Sequence, residues 1–205
     1  RLVGSEMCIR DRKMTADTAS VAIDNQGNLD IESGASTIDN STNTFTHSGV
    51  LSIRGTANNA GLVIANGFTN AGTITLDNAS SSGRTQSLTV NSGTLTNAGT
   101  INTTRTGGGS ATHSITANII NGGMIDIDAT ATITAMTFDT SMGDIDVASG
   151  NTLYLDSTTT TLGAGSSLTG GGTIDLLGTQ TVNFASAYTI TSTSTQLDPT
   201  GTITF

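Results

Sequence analysis

The hexapeptide TNAGTI stands at Thr69 to Ile74 and again at Thr96 to Ile101, and looser versions of it recur along most of the chain. Aligned on a glycine, they read QGNLDI (Gly27), SGVLSI (Gly49), AGTITL (Gly72), SGTLTN (Gly93), AGTINT (Gly99), GGMIDI (Gly123), MGDIDV (Gly143), GGTIDL (Gly172) and TGTITF (Gly201). Consecutive glycines are 22, 23, 21, 6, 24, 20, 29 and 29 residues apart. Apart from the one short step, this is a period of roughly 20–30 residues, and self-similarity at that period marks an array of stacked units rather than a single closed core.

After each glycine the side chains alternate: Thr73 and Thr75 are polar where Ile74 and Leu76 are aliphatic. Strict alternation puts successive side chains on opposite sides of a strand, with one side buried. Threonine suits the wet side, because its branched Cβ favours extended backbone while its hydroxyl stays solvated. Helix is disfavoured by the glycine content, the β-branched runs and the lack of sustained three-four apolar spacing. Further alternating segments lie between the phrases, at 88–90, 133–138, 153–155, 182–184 and 188–190, so each repeat holds two or three strands. An asparagine stands two positions ahead of the glycine at Asn70, Asn91, Asn97 and Asn121. Asn and Gly both accept a positive φ, which suits a sharp bend, and asparagines at stacked bends would pair amide to carbonyl along the axis.

These features predict an all-β chain, a right-handed single-stranded parallel β-helix (a solenoid) of about eight or nine coils. A β-sandwich also offers short strands and turns, but its strands seldom carry one repeated corner-strand phrase at coil spacing. Stacking is obligatory on energetic grounds. Burying an Ile or Leu is worth about 1.5–3 kcal/mol, whereas ordering each backbone residue costs about 1–2 kcal/mol. A lone coil leaves both edges of its strands unbonded, and only neighbours above and below close that gap.

Only 11% of residues are charged, and Thr, Ser, Asn and Gly abound; without the periodicity such a chain would read as disordered. No apolar run approaches the ~18 residues of a membrane helix, so no membrane insertion by this segment is expected. Residues 2–12 read LVGSEMCIRDR, which resembles a translated transposon-end sequencing adapter. Residues 1–13 are therefore expected to be a non-native adapter-derived or disordered segment, and 14–205 one β-helix repeat domain, a fragment of a longer protein whose coils continue beyond it. Setting that segment aside removes Cys8, the only cysteine, and with it disulfide, zinc-thiolate and thiol-nucleophile chemistry. With residues 1–12 set aside, Arg1, Arg10 and Arg12 leave the seven bases, and Glu6 and Asp11 the sixteen acids, so the net charge becomes 4 − 14 = −10. A surface this acidic repels phosphate backbones and anionic headgroups, which excludes nucleic acid as a partner.

Catalytic chemistry finds little footing in the sequence. His47 and His113 fall in different repeats, neither with a nearby Ser, Cys or metal-spaced partner, and read as loop-face imidazoles. Asp126 with Asp128, and Asp144 with Asp146, put paired carboxylates on the outer wall of consecutive coils, with Asp139, Asp156 and Asp175 expected near them. Such a stack suits calcium or an acid–base pair for sugar cleavage. Against this, the calcium β-roll signature is absent, and outward Asp also keeps a tube soluble and unassociated. Arg54, Arg84 and Arg105 stand apart in sequence, as a lyase's anion-binding group would not. Thr73/Thr75, Thr94/Thr96 and Thr202/Thr204 are similar to the threonine pairs of ice-binding solenoids, but Met124/Asp126, Asp144/Asp146 and Thr152/Tyr154 break that register. No catalytic, cofactor or metal residue is assigned; the segments 80–86 and 103–114 are where ligand contacts would lie.

The N-x-G-T-I phrases at 70–74 and 97–101, Gly-Gly-Thr-Ile at 171–174 and the acidic, cysteine-poor, hydroxyl-rich composition resemble the passenger regions of bacterial autotransporters and filamentous-haemagglutinin-like adhesins, over roughly 21–205. The resemblance implies a β-helix exported to the bacterial cell surface or secreted, a non-catalytic structural or adhesive passenger segment that meets host-cell, neighbouring-cell or glycan surfaces. The alternative is a β-helical carbohydrate-active enzyme, a polysaccharide lyase or glycoside hydrolase, because such enzymes share the fold.

Overall fold

The computed structural model describes residues 7–14, 18–19, 22–42, 44–185, 196–199 and 203–204. Among them are twenty strands and no helix, and the strand pairings are parallel throughout. They stack in three columns. The first face holds 23–25, 45–47, 66–70, 94–97, 118–121, 137–140, 159–163 and 181–185. The second holds 28–32, 50–55, 73–78, 100–104, 124–127, 144–147 and 168–170. The third holds 34–38, 60–64, 86–90, 113–116, 131–134, 152–155, 173–176 and 196–199. The chain visits the faces in that order, making a parallel β-solenoid of about seven turns, close to the number expected from the phrases. Met7–Met14 pairs in parallel with Ile23–Glu32; this shows the conformation of the segment that the sequence sets apart and bears in no way on its origin.

The interior follows from the alternation. Leu29, Leu51, Ile74, Ile101, Ile125, Ile145 and Leu168 form one continuous buried column on the second face, and Ile31, Ile53, Leu76, Ile127 and Val147 belong to the next. Aliphatic sits on aliphatic from coil to coil, interrupted in the second column only by buried Thr103 between Leu76 and Ile127, so one dry axis runs the length of the stack.

Not every glycine phrase takes the same place. Those at Gly27, Gly49, Gly72, Gly99, Gly123 and Gly143 lead into second-face strands. SGTLTN instead puts 94–97 on the first face, and GGTIDL puts Thr173–Leu176 on the third, above 152–155. The second-face position above Asp144–Val147 goes to Leu168–Gly170. The irregular spacings are thereby explained: Gly93 to Gly99 is a step between adjacent faces, and Gly143 to Gly172 is one coil plus one face. The expected strand at 188–190 and Gly201 lie outside the described residues.

The corner glycines owe their identity to crowding rather than to a bend. A Cβ at Gly49, Gly72, Gly99 or Gly123 would lie 2.2, 2.1, 2.1 or 2.1 Å from the carbonyl oxygen of Gly27, Gly49, Gly72 or Gly99, respectively, one coil below. Those carbonyls face upward because each accepts the N–H that follows the glycine above, as in Thr73 to Gly49 (2.9 Å), Thr100 to Gly72 (2.9 Å) and Met124 to Gly99 (2.9 Å). The positive φ expected of the series is not adopted at these four, though Gly93 of the same series does adopt it; among the described residues the left-handed glycines are Gly34, Gly93, Gly108, Gly150, Gly170 and Gly178.

The asparagine ladder is present along the inner edge of the first face. Asn70 Nδ2 donates to Asn97 Oδ1 (2.7 Å), and Asn97 Nδ2 to Asn121 Oδ1 (2.7 Å). Each amide also donates to the carbonyl after the corner glycine one coil above: Asn70 to Thr100 (3.1 Å), Asn97 to Met124 (3.0 Å) and Asn121 to Asp144 (3.1 Å). Asn121 reaches Thr140 Oγ1 at 3.1 Å, and that hydroxyl donates to the Gly143 carbonyl at 2.7 Å, which closes the ladder in a shorter side chain. Most buried amides are hydrogen-bonded in folded proteins, and the ladder satisfies these three. Asn91, expected in the series, is exposed and takes no part, because its phrase lies on a different face.

Candidate functional site

Chain length varies most at the corner between the second and third faces, where 79–85 and 105–112 are the longest excursions. The same corner collects the basic side chains. Beyond Lys13 the only Lys or Arg residues are Arg54, Arg84 and Arg105, and the solenoid brings them to this corner in three successive coils. Their sequence separation is thus misleading, and the expectation that they stand apart is corrected by the stacking.

Asp77 organises the corner. It ends a second-face strand with its carboxylate almost wholly buried, and receives Arg54 Nε (3.3 Å), Thr104 Oγ1 (2.9 Å), Thr106 N–H (2.9 Å) and Thr106 Oγ1 (2.7 Å). Burial raises its pKa, but the bonds from Thr106 and Thr104 and the Arg54 charge outweigh burial and hold it below the usual carboxylate value. Next to it, buried Asn78 donates to Gly109 O (2.7 Å) and Ser82 O (3.2 Å), which ties the two excursions to each other. Arg105 is anchored by Nη2 donating to Asn151 Oδ1 (2.8 Å). Between the excursions lies an open polar cavity of about 440 Å³, lined by Arg105, Thr85, Ser110, Thr112 and Thr130 with Gly83 and Ala111.

Behind this corner the interior is polar. Gln86 and His113 are 0% exposed and occupy adjacent coils of an inward column whose flanking members are Ala60 and Ala131. The small alanines leave room for the two large side chains. His113 Nε2 donates to Thr104 O (3.0 Å), which leaves Nδ1 unprotonated and without a partner among the described residues; both amide atoms of Gln86 and Arg84 Nε also lack one. His47 is likewise inward, at 2% exposure, and takes an asparagine's place in the ladder. Its Nδ1 accepts from Asn25 Nδ2 (3.0 Å), and its Nε2–H donates to Thr73 O (3.2 Å). Both imidazoles are pushed below their ordinary pKa, first by desolvation, so each is held neutral. Neither is the loop-face imidazole expected from the sequence. Period-two parity would have signalled this, since each precedes or ends an alternating stretch with its side chain in phase with the aliphatics.

The acid pairs are only partly brought together. Asp126 and Asp146 are stacked neighbours on the outer second face, between Asn102 and Thr169. Asp126 is raised above its usual pKa by partial burial first and then by Asp128 and Asp146. Thr169 Oγ1 donates to Asp146, and Asp144 accepts from Ser167 N–H (2.9 Å) and Oγ (2.7 Å). Asp139 lies on the first face, where it accepts from Ser141 N–H (2.8 Å), while Asp156 and Asp175 lie on or beside the third. Their expected proximity to the pairs is therefore corrected: outward residues of different faces point away from one another. Among the described residues no group of three or more His, Cys, Asp or Glu converges as metal ligands would. The outer threonines form mixed rows, such as Val50, Thr73, Thr100, Met124 and Asp144, in place of a repeating Thr-x-Thr plane. No protein-family model, curated protein or solved structure matches the chain.

Proposed function

We propose that this chain is a non-catalytic structural and adhesive segment of an exported bacterial surface protein, of the autotransporter-passenger or filamentous-haemagglutinin-like kind. The observation that supports it is the use made of the polar groups. The ladder amides, His47 and Asp77 are committed to bonds that join coil to coil, and His113 to one that ties two faces of its own coil. A stack bonded in this way is a stiff rod with a hydroxyl-rich wall, which suits a spacer or a contact surface. Lack of cysteine beyond Cys8 lets such a rod form without oxidative folding.

Two measurements test the reading. Beads carrying the purified segment should adhere to bacterial or host cells more than beads carrying an inert solenoid, and equal adherence would remove the adhesive part. The parent gene should encode an export signal and an outer-membrane barrel or secretion partner. Release of reducing or unsaturated ends from a polysaccharide panel would favour the carbohydrate-active enzyme instead.

A further inference from the structure

We propose that the cavity between 79–85 and 105–112 is a binding site for an acidic saccharide, with Arg105 receiving the sugar carboxylate. Three observations carry it. First, every Lys or Arg side chain beyond Lys13 lies at this corner, in a chain of net charge −9. Glu32 and Asp77 flank Arg54 in register and Asp128 stands in the next corner, so Arg84 and Arg105 are the bases left to meet an anion, on a wall that beyond Lys13 elsewhere carries acids alone. Second, the cavity holds about 440 Å³, a volume suited to one or two sugar rings, and the polar residues lining it are Arg105, Thr85, Ser110, Thr112 and Thr130, with no carboxylate. Third, Arg105 is oriented before any ligand arrives: Asn151 holds one Nη2–H at 2.8 Å, and the nearby acid, Asp77, is already saturated by Arg54, Thr104 and Thr106.

The chemistry follows from the donor set. A guanidinium fixed at one nitrogen retains N–H groups in a planar fork that matches a carboxylate. Hydroxyls both donate and accept, and so match the ring hydroxyls of a sugar where a simple anion has none. Nucleic acid fits less well, since a run of phosphates would meet the acidic remainder of the wall. The site deepens the adhesive reading by naming a ligand class and rests on that reading only for its biological use.

The test is an NMR titration of the purified chain with an oligogalacturonate, a neutral oligosaccharide of the same length, and acetate. The expected result is saturable shifts of amides at 83–85, 105 and 110–112 with the acidic oligosaccharide alone. Arg105→Gln should weaken binding by about tenfold or more, Arg105→Lys by less, and Ser110→Ala by a few fold. Equal binding of the neutral sugar, or full affinity in a folded Arg105→Gln variant, overturns the proposal. Acetate binding as well as the oligosaccharide overturns its saccharide part. Should Arg105→Gln fail to fold, shifts in the wild-type chain centred away from these loops overturn it equally. Bead adhesion without saccharide binding sinks this site and leaves the adhesive reading; saccharide binding without bead adhesion does the reverse.

Discussion

A methyl group on Gly99 would press 2.1 Å from the Gly72 carbonyl, although the backbone at Gly99 lies outside the left-handed region. The penalty for substitution is therefore steric and shared between two coils. Gly99→Ala should destabilise by about 1–3 kcal/mol, the range for overpacking, whereas Gly122→Ala, whose nearest neighbour would be 3.7 Å away, should be nearly silent in thermal melts. His47 offers a second prediction. It accepts at Nδ1 from the rung below and donates at Nε2 to the carbonyl above, as a ladder asparagine does, but it titrates. Its folded pKa is below the ordinary value of 6.5, so on acidification the unfolded chain takes up the proton first, and stability falls as pH drops from 6.5 toward the folded value. His47→Asn should fold at neutral pH and show a shallower loss of melting temperature below about pH 6.5, with His113 accounting for the remaining slope. Identical slopes would show that His47 is not the titrating rung. That a histidine stands in the ladder was not legible from the N-x-G phrase, because SGVLSI is preceded by His47 where its relatives have asparagine.

At the scale of a strand, inward and outward positions differ in kind. Ile125 is buried in a column between Ile101 and Ile145, so Ile125→Ala opens a cavity at a shared seam. The expected cost is about 2–5 kcal/mol, and because coils are stable only through their neighbours, hydrogen-exchange protection should fall in the strands at 100–104 and 144–147 as well as at 124–127. Thr75→Ala, on the outer side of an equivalent strand, should change stability by no more than about 0.5 kcal/mol. A loss of protection confined to the mutated strand would refute the stacked account of stability. Alternation alone made these strands legible. Which face each would join was not, since TIDL at 173–176 and MIDI at 124–127 are nearly the same words and stand on different faces. Their placement depends on how many residues the preceding corner contains, and corners carry no periodic signal.

Over the whole molecule the charge is −9, with few bases to offset it, and the acids lie mainly on the wall. Self-repulsion of this kind is screened over a Debye length of about 10 Å at 0.1 M salt. Moderate sodium chloride should therefore raise the melting temperature by about 2–4 °C, the shift that corresponds to roughly 1 kcal/mol in a chain of this size; a fall with added salt would mean that the Arg54–Asp77 contact and its like outweigh repulsion. Strand type, the dry axis, the amide ladder and the parallel solenoid were determined by the sequence itself, because a two-residue alternation and a coil-length repeat are properties of neighbouring letters. The tertiary structure alone decided the glycine-on-carbonyl crowding, the separation of the acids onto different faces and the meeting of Arg54, Arg84 and Arg105. These depend on which residues lie one coil apart, and that register is set by corner lengths of 1 to 8 residues, as at Ser33 and 105–112, that follow no repeat.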